Sequence, residues 1–152
     1  MRPAVLSTPL RAALGALMLG FGLFLLPVRA AGAELVVIVS AKSTVEALRR
    51  EQVTDIFLGR VAEFTDGADA VALDQSIGSP LRDEFYTKLT NKTPSLVKAY
   101  WTKMIFTGRG LPPKEIPNSL AVRRLVADNP AMIGYIDRNT LDASVRAVLV
   151  VQ

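Results

Sequence analysis

The 152-residue sequence contains no cysteine and no histidine. Without cysteine the protein has no disulfide, no thiol nucleophile and no residue to which a lipoprotein anchor could be attached. Without histidine it lacks the commonest general base, and the absence of both residues removes the commonest metal ligands. These absences exclude most enzyme classes. We therefore expect a protein that is not an enzyme and that uses no metal or cofactor.

Residues 1–33 have the three parts of a cleavable export signal. A start containing two arginines is followed by a charge-free apolar run at 12–26, and Ala31-Gly32-Ala33 matches the A-x-A pattern of a cleavage site. The apolar run is shorter than the roughly 20 residues that a membrane-spanning helix needs. We predict a periplasmic protein that is cleaved after Ala30 or Ala33 and has no membrane span after cleavage.

Cleavage would leave a nearly neutral domain. The chain has 18 Lys+Arg and 14 Asp+Glu; three of the basic residues and none of the acidic ones lie in 1–33, so residues 34–152 carry 15 against 14. This balance gives no reason to expect a nucleic-acid partner or a polybasic membrane contact. We predict one domain over residues 34–152, because this length supports a single hydrophobic core.

Apolar patterns in this domain alternate between strand and helix. The predicted strands are 35–40, 70–73, 131–136 and 145–151, and the predicted helices are 45–58, 79–89, 93–105 and 118–128. In the last helix we expect Leu120, Leu125 and Val126 to face the core, and we expect 107–118 to be a linker. Strands that alternate with helices predict an α/β fold of three layers, with helices on both faces of a mixed or parallel sheet.

One candidate anion site lies where the second strand gives way to a helix. Gly78 and Ser79 precede the helix start, Gln75 and Arg82 flank them, and free N–H groups at a helix N-terminus together with a serine hydroxyl can bind an anion. Arg82 would add a positive charge. The alternative is an ordinary capped helix, in which Ser79 bonds to its own backbone and Arg82 points into water. Nearby acidic residues such as Asp74 are expected to be solvated.

A second candidate is Arg109, which lies between Gly108 and Gly110 on the predicted linker. Flanking glycines let the backbone turn sharply and leave the guanidinium free to contact an oxyanion. The alternative is a mobile loop with a solvated arginine.

Four segments of the chain resemble, in order and spacing, the phosphate-binding proteins of ABC transporters. They are Asp55 to Arg60 (DIFLGR), Gly78-Ser79, Trp101 and Asn129 to Ile136 (NPAMIGYI). The resemblance implies one lobe of a type II periplasmic binding protein, which would be the substrate-binding component of a phosphate transport system. It also implies inorganic phosphate or a similar oxyanion as the ligand and an ABC permease as a partner.

Members of that family have two lobes that close on the anion, and this chain resembles only the second. It also departs from the family pattern at the positions that match the phosphate-binding motif: Gln75 replaces an arginine, Ile77 an aspartate, Pro80 a glycine and Leu81 a threonine. A proline has no N–H to donate. Fewer donors predict weak binding.

We therefore expect weak oxyanion binding at the helix that starts after Ser79, with Arg82 or Arg109 as the countercharge. The alternative is a periplasmic protein–protein interaction module that has lost tight anion binding. Exposed apolar residues such as Ile77 and Leu81 would favour this alternative, with another envelope protein or a second copy as the partner.

Overall fold

The computed structural model describes residues 34–152, so the predicted export signal at 1–33 lies outside the described residues. The elements follow one another along the chain as β1 (Leu35–Ser40), α1 (Arg50–Phe57), β2 (Val71–Gln75), α2 (Pro80–Thr90), α3 (Pro94–Phe106), β3 (Lys114–Ile116), α4 (Ser119–Asp128), β4 (Met132–Asp137) and β5 (Val145–Val151), with a 3-10 turn at Arg138–Thr140.

The five strands form one mixed sheet in the order β3-β2-β4-β1-β5. Strand β2 is parallel to both β3 and β4, whereas β1 is antiparallel to both β4 and β5. Every residue of β1 is buried. The continuous apolar run that predicts this strand is explained by its position inside the sheet, where helices cover both faces.

Helices lie on both faces of the sheet. On one face α1, α2 and α3 pack with β1 through a core that includes Val37, Phe57, Phe85 and Trp101. On the other face α4 packs through Val122 and Val126 against a second set of buried strand residues. The three-layer α/β architecture predicted from the sequence is confirmed.

Helix α1 begins at Arg50, later than the expected start at Val45. The preceding segment is held extended by tertiary hydrogen bonds: Leu48 N donates to Val148 O (3.0 Å), and the Arg146 guanidinium donates to the carbonyl of Val45 (3.0 Å). These bonds occupy backbone groups that a helix would use. The apolar spacing from Val45 onward reflects burial of an extended segment.

The expected linker at 107–118 contains β3, an edge strand of three residues that pairs with β2. The assignment of Leu120 and Leu125 to the core was wrong, because both are exposed while Val122 and Val126 are fully buried. The reason is the close approach of α4 to Gly134 on β4, where a Cβ would overlap a Val122 methyl group. The smaller valines fit this narrow space.

Candidate anion-binding site

Two helices begin at the same edge of the sheet. Strands β2 and β3 are parallel neighbours, β2 leads into α2, and β3 leads into α4. Ser79 Oγ accepts a hydrogen bond from Arg82 N (3.3 Å) and caps α2, and Asn118 Oδ1 accepts one from Ala121 N (2.9 Å) and caps α4. Because the carboxyl ends of parallel strands meet at one edge, the two N-termini converge, as ligand-binding junctions of α/β sheets do.

The converging N-termini line one concavity of about 660 Å³, which we call the helix-end cavity. It is lined by Gln75, Ser79, Pro80, Leu81, Glu84, Pro117, Asn118, Ser119, Leu120, Asp137 and Thr140. Backbone N–H groups in the first turn of a helix have no acceptor within the helix. The cavity therefore receives the positive ends of two helix dipoles together with their free N–H donors.

Gln75 and Ser119 join the two junctions. Gln75 Nε2 donates to Ser119 Oγ (3.1 Å) and to the Tyr135 carbonyl (3.1 Å), and Ser119 Oγ also accepts from Asp137 N (3.1 Å). Gln75 thus lines the cavity, but both hydrogens of its amide group are already donated to Ser119 and Tyr135. Ser119 lies within the predicted helix 118–128 and was not among the predicted site residues. Its role in the site depends on β3, which the sequence pattern does not reveal.

Charge in the helix-end cavity is of the wrong sign for a strong anion site. Among the described residues no lysine or arginine lines it, while Glu84 and Asp137 do. Glu84 is balanced by Lys88 (2.7 Å), and Asp137 Oδ1 accepts from Asn139 N (2.9 Å). An anion there would rely on neutral N–H and hydroxyl donors.

A buried carboxylate lies behind the cavity. Asp74 is 2% exposed, and its Oδ1 accepts from the Tyr135 hydroxyl (2.5 Å) and from Gln75 N (2.8 Å). Its Oδ2 accepts from Arg82 Nε (2.9 Å) and from the Tyr86 hydroxyl (3.0 Å). The expectation of a solvated Asp74 was wrong. The carboxylate fixes the end of β2 to the first turn of α2 and to β4.

These contacts set the ionisation of the neighbouring groups. Burial lowers the pKa of Arg82, but the charge of the adjacent Asp74 and its hydrogen bond together outweigh burial and leave that pKa above its ordinary value. Burial, followed by the same charge, raises the pKa of Tyr86 and that of Tyr135 well above their ordinary values. Arg82 is therefore a paired cation and both tyrosines are neutral hydrogen-bond donors.

The structure brings only some of the predicted site residues together. Gln75 and Ser79 line the helix-end cavity, whereas Gly78 and Arg82 line a separate groove beside α3. Gly78 has φ +84°, a left-handed conformation that favours glycine and lets the chain turn from β2 into α2. Arg82 is directed at Asp74 and does not point into water. Arg109 is exposed at the end of α3, where its N–H donates to the Met104 carbonyl (2.9 Å), and it lines neither concavity.

Two other features of residues 34–152 bear on function. No α-helix in this range has the length and apolarity needed to cross a membrane. Within the same range no three histidine, cysteine or acidic side chains come together as candidate metal ligands.

No protein-family model and no curated protein match the chain, but solved structures do. One is a putative phosphate ABC transporter substrate-binding protein from Clostridium perfringens with bound phosphate, at TM-score 0.60 and 24% identity over 76% of this chain and 44% of that one. Another is an ABC-type phosphate transport receptor from Vibrio cholerae, at TM-score 0.60 and 18% identity over 76% and 45%. PstS from Borrelia burgdorferi matches at TM-score 0.52 and 14% identity over 76% and 46%.

At these identities the likeness concerns the fold. The chain has the fold of part of a phosphate ABC transporter substrate-binding protein, and it spans less than half the length of each of these neighbours. The resemblance inferred from the DIFLGR and NPAMIGYI segments is confirmed at this level.

Proposed function

We propose that this protein binds phosphate or a similar oxyanion weakly in the helix-end cavity and serves as a substrate-binding component of a phosphate ABC transport system. The observation that carries the proposal is the convergence of two helix N-termini, after Ser79 and after Asn118, on one cavity. A neighbour of the same fold was solved with bound phosphate, which supports this choice of ligand. The proposal also includes export to the periplasm, an ABC permease as the partner, and a role without catalysis.

The donors of the proposed site are the first-turn N–H groups of α2 and α4 that the caps leave free, aided by the Ser79 hydroxyl, while Gln75 positions Ser119. Each helix N-terminus carries a partial charge equivalent to about +0.5 elementary charge. Pro80 removes one donor from α2, and Glu84 and Asp137 oppose a negative ligand. We expect a dissociation constant near the millimolar range, which corresponds to about −4 kcal/mol.

Arg82 and Arg109 have secondary roles in this proposal. Arg82 is already paired with Asp74 at 2.9 Å, so it contributes mainly by fixing the first turn of α2. Arg109 lies outside the cavity and would act only through its long-range field, which salt screens over about 10 Å at 0.1 M. Gly78 supplies the turn that places Ser79 at the helix start.

The test is a calorimetric titration with phosphate and with sulfate of the protein expressed with its own N-terminus and purified from the cells. We expect weak exothermic binding that Ser79→Ala abolishes. Ser95→Ala is the matched control, because Ser95 lies at the start of α3 outside the cavity, and Arg109→Ala measures the contribution of the distant charge. No heat and no thermal shift at millimolar anion would refute the proposal.

The intact mass of the same preparation tests export. We expect the loss of the first 30 or 33 residues, and the processed protein should be recovered in the periplasmic fraction. An unprocessed mass would contradict the predicted cleavage.

The second candidate function is a protein–protein interaction module. It is favoured by Ile77, which is 72% exposed and lines the groove beside α3, and by the exposed Leu120, which lines the helix-end cavity. Leu81, the other residue expected to be exposed, is partly buried against the core. Light scattering across a concentration series distinguishes self-association from a monomer that requires another partner.

A further inference from the structure

The helix-end cavity is larger than an inorganic anion requires. Its volume is about 660 Å³. Phosphate would fill about a quarter of that space if each of its atoms takes up as much room as a water molecule in the liquid, about 30 Å³. The cavity therefore has room for a ligand that extends beyond the oxyanion, and its lining away from the helix starts indicates the chemistry of that extension.

The charged side chains of the lining are both acidic. Asp137 and Glu84 line the cavity, whereas no lysine or arginine among the described residues does. The two carboxylates come from different parts of the fold, because Glu84 is in the second turn of α2 and Asp137 is the last residue of β4. A positively charged group on the ligand would complement them.

Asp137 lies beside the start of α4. Its backbone N–H donates to Ser119 Oγ (3.1 Å), and Ser119 is the first residue of that helix. Asp137 Oδ1 accepts a hydrogen bond from Asn139 N (2.9 Å), while Oδ2 accepts none from the described residues. Asp137 also belongs to none of the ion pairs within residues 34–152. Its carboxylate is therefore available to a cation next to the N–H groups of α4.

Glu84 lies near the start of α2. It follows Ser79 by five residues, which corresponds to about 7.5 Å along the helix axis at 1.5 Å per residue. Side chains of a helix lean toward its N-terminus, so the Glu84 carboxylate is closer to the helix start than its backbone is. Lys88 forms an ion pair with Glu84 Oε1 (2.7 Å) and balances part of its charge. We therefore expect Asp137 to contribute more than Glu84.

We propose that the helix-end cavity binds a zwitterion, in which an oxyanion is joined through a short chain to a primary ammonium group. A phosphate ester of a small amino alcohol has this chemistry. The inference rests on the proposed function: the free N–H groups of α2 and α4 hold the oxyanion, and the ammonium group donates to Asp137 and Glu84. The two carboxylates, which repel a plain anion, then contribute to binding.

The test compares phosphoethanolamine with propyl phosphate, in which a methyl group replaces the ammonium group. Each is titrated by calorimetry, in buffer containing EDTA, into the full chain expressed with its own N-terminus and purified from the cells. We expect phosphoethanolamine to bind about fivefold more tightly, the factor that an ion pair accessible to solvent can contribute. Ethanolamine alone should give no heat, because it leaves the helix N-termini without an anion.

A further ligand distinguishes two sources of this chemistry. Glycerophosphoethanolamine carries the same two charges in a phosphodiester, as the headgroup of a lipid does. Binding tighter than that of phosphoethanolamine would indicate a ligand derived from lipid, and weaker binding would indicate a soluble phosphate monoester.

Matched variants locate the carboxylate. Asp137→Asn keeps an oxygen for Asn139 N but removes the charge, whereas Asp128→Asn removes an exposed charge at the other end of α4, outside the cavity. Asp137→Asn should weaken phosphoethanolamine about threefold and tighten propyl phosphate about twofold, because the same charge attracts one ligand and repels the other. Glu84→Gln should act in the same directions but less. Asp128→Asn should change neither affinity by more than about twofold. A purely structural effect would shift both ligands in one direction.

The outcomes separate this inference from the proposed function. If phosphate and propyl phosphate bind and the amine adds nothing, the zwitterion is refuted while oxyanion binding stands. If phosphoethanolamine binds and phosphate does not, the inference stands and phosphate is not the ligand. No heat from any of these compounds would overturn both. If Mg²⁺ in place of EDTA makes propyl phosphate bind as tightly as phosphoethanolamine, the carboxylates serve a metal–anion complex and the zwitterion is refuted.

Discussion

Replacing Asp74 by asparagine tests the buried carboxylate that connects β2, α2 and β4. The substitution keeps the shape of the side chain but removes the negative charge that lies 2.9 Å from Arg82 Nε. One carboxylate oxygen becomes an NH2 group, so the hydrogen-bond donors on that side would face another donor. Arg82 is nearly as buried as Asp74, so its guanidinium would be left unpaired. Breaking a buried ion pair from one side costs about 3–5 kcal/mol. For a domain of this size the melting temperature should fall by roughly 10–20 °C.

Urea unfolding followed by circular dichroism measures the free energy of unfolding. Asp69→Asn is the control, because Asp69 is exposed and should change stability by no more than about 0.5 kcal/mol. The double variant Asp74→Asn with Arg82→Met should be at least as stable as Asp74→Asn alone, since it removes the unpaired charge. A loss below about 1 kcal/mol for Asp74→Asn would refute the buried-pair reasoning.

Two further predictions concern the core. Gly134→Ala places a Cβ against Val122 and should cost about 1–3 kcal/mol, and adding Val122→Ala should recover part of that loss in urea unfolding. In alkali, the unfolded chain ionises its tyrosines near pH 10, whereas Tyr86 and Tyr135 in the folded protein have raised pKa values and keep their protons. Their contribution to the free energy of unfolding is therefore fully present below about pH 10 and is lost as the pH rises further. The tyrosinate absorbance of these two residues should therefore appear at the same pH as the loss of the circular dichroism signal. Ionisation at a lower pH, while the protein is still folded, would contradict their burial.

Elements that depend on local side-chain chemistry were predictable from the sequence. The continuous apolar run predicts β1, and the predicted helix starts at Ser79 and Thr93 agree with α2 and α3, where the two hydroxyls cap the helices. These signals depend on neighbours within a few residues. The structure confirms each of them.

Features that depend on distant contacts were not predictable. Strand β3 is too short to show alternation, and it exists because it pairs with β2. Asp74 is buried because Tyr135, far along the chain, and Arg82 both donate to it. The sequence could therefore suggest an anion site at Ser79. It could not show that Ser119 lies at the same cavity, because that placement depends on β3 and on the contacts of Asp74.

The Asp74–Arg82 pair also explains how two different surfaces can share one turn. Arg82 lines the groove beside α3 and follows Ser79, which lines the helix-end cavity, by three residues, so an unpaired guanidinium there would attract an anion. Because Asp74 neutralises it, the helix-end cavity has only neutral donors for an oxyanion, and the other charged side chains that line the groove beside α3 are Asp83 and Lys98. The Asp74–Arg82 pair is therefore the reason why we expect anion binding in the helix-end cavity to be weak.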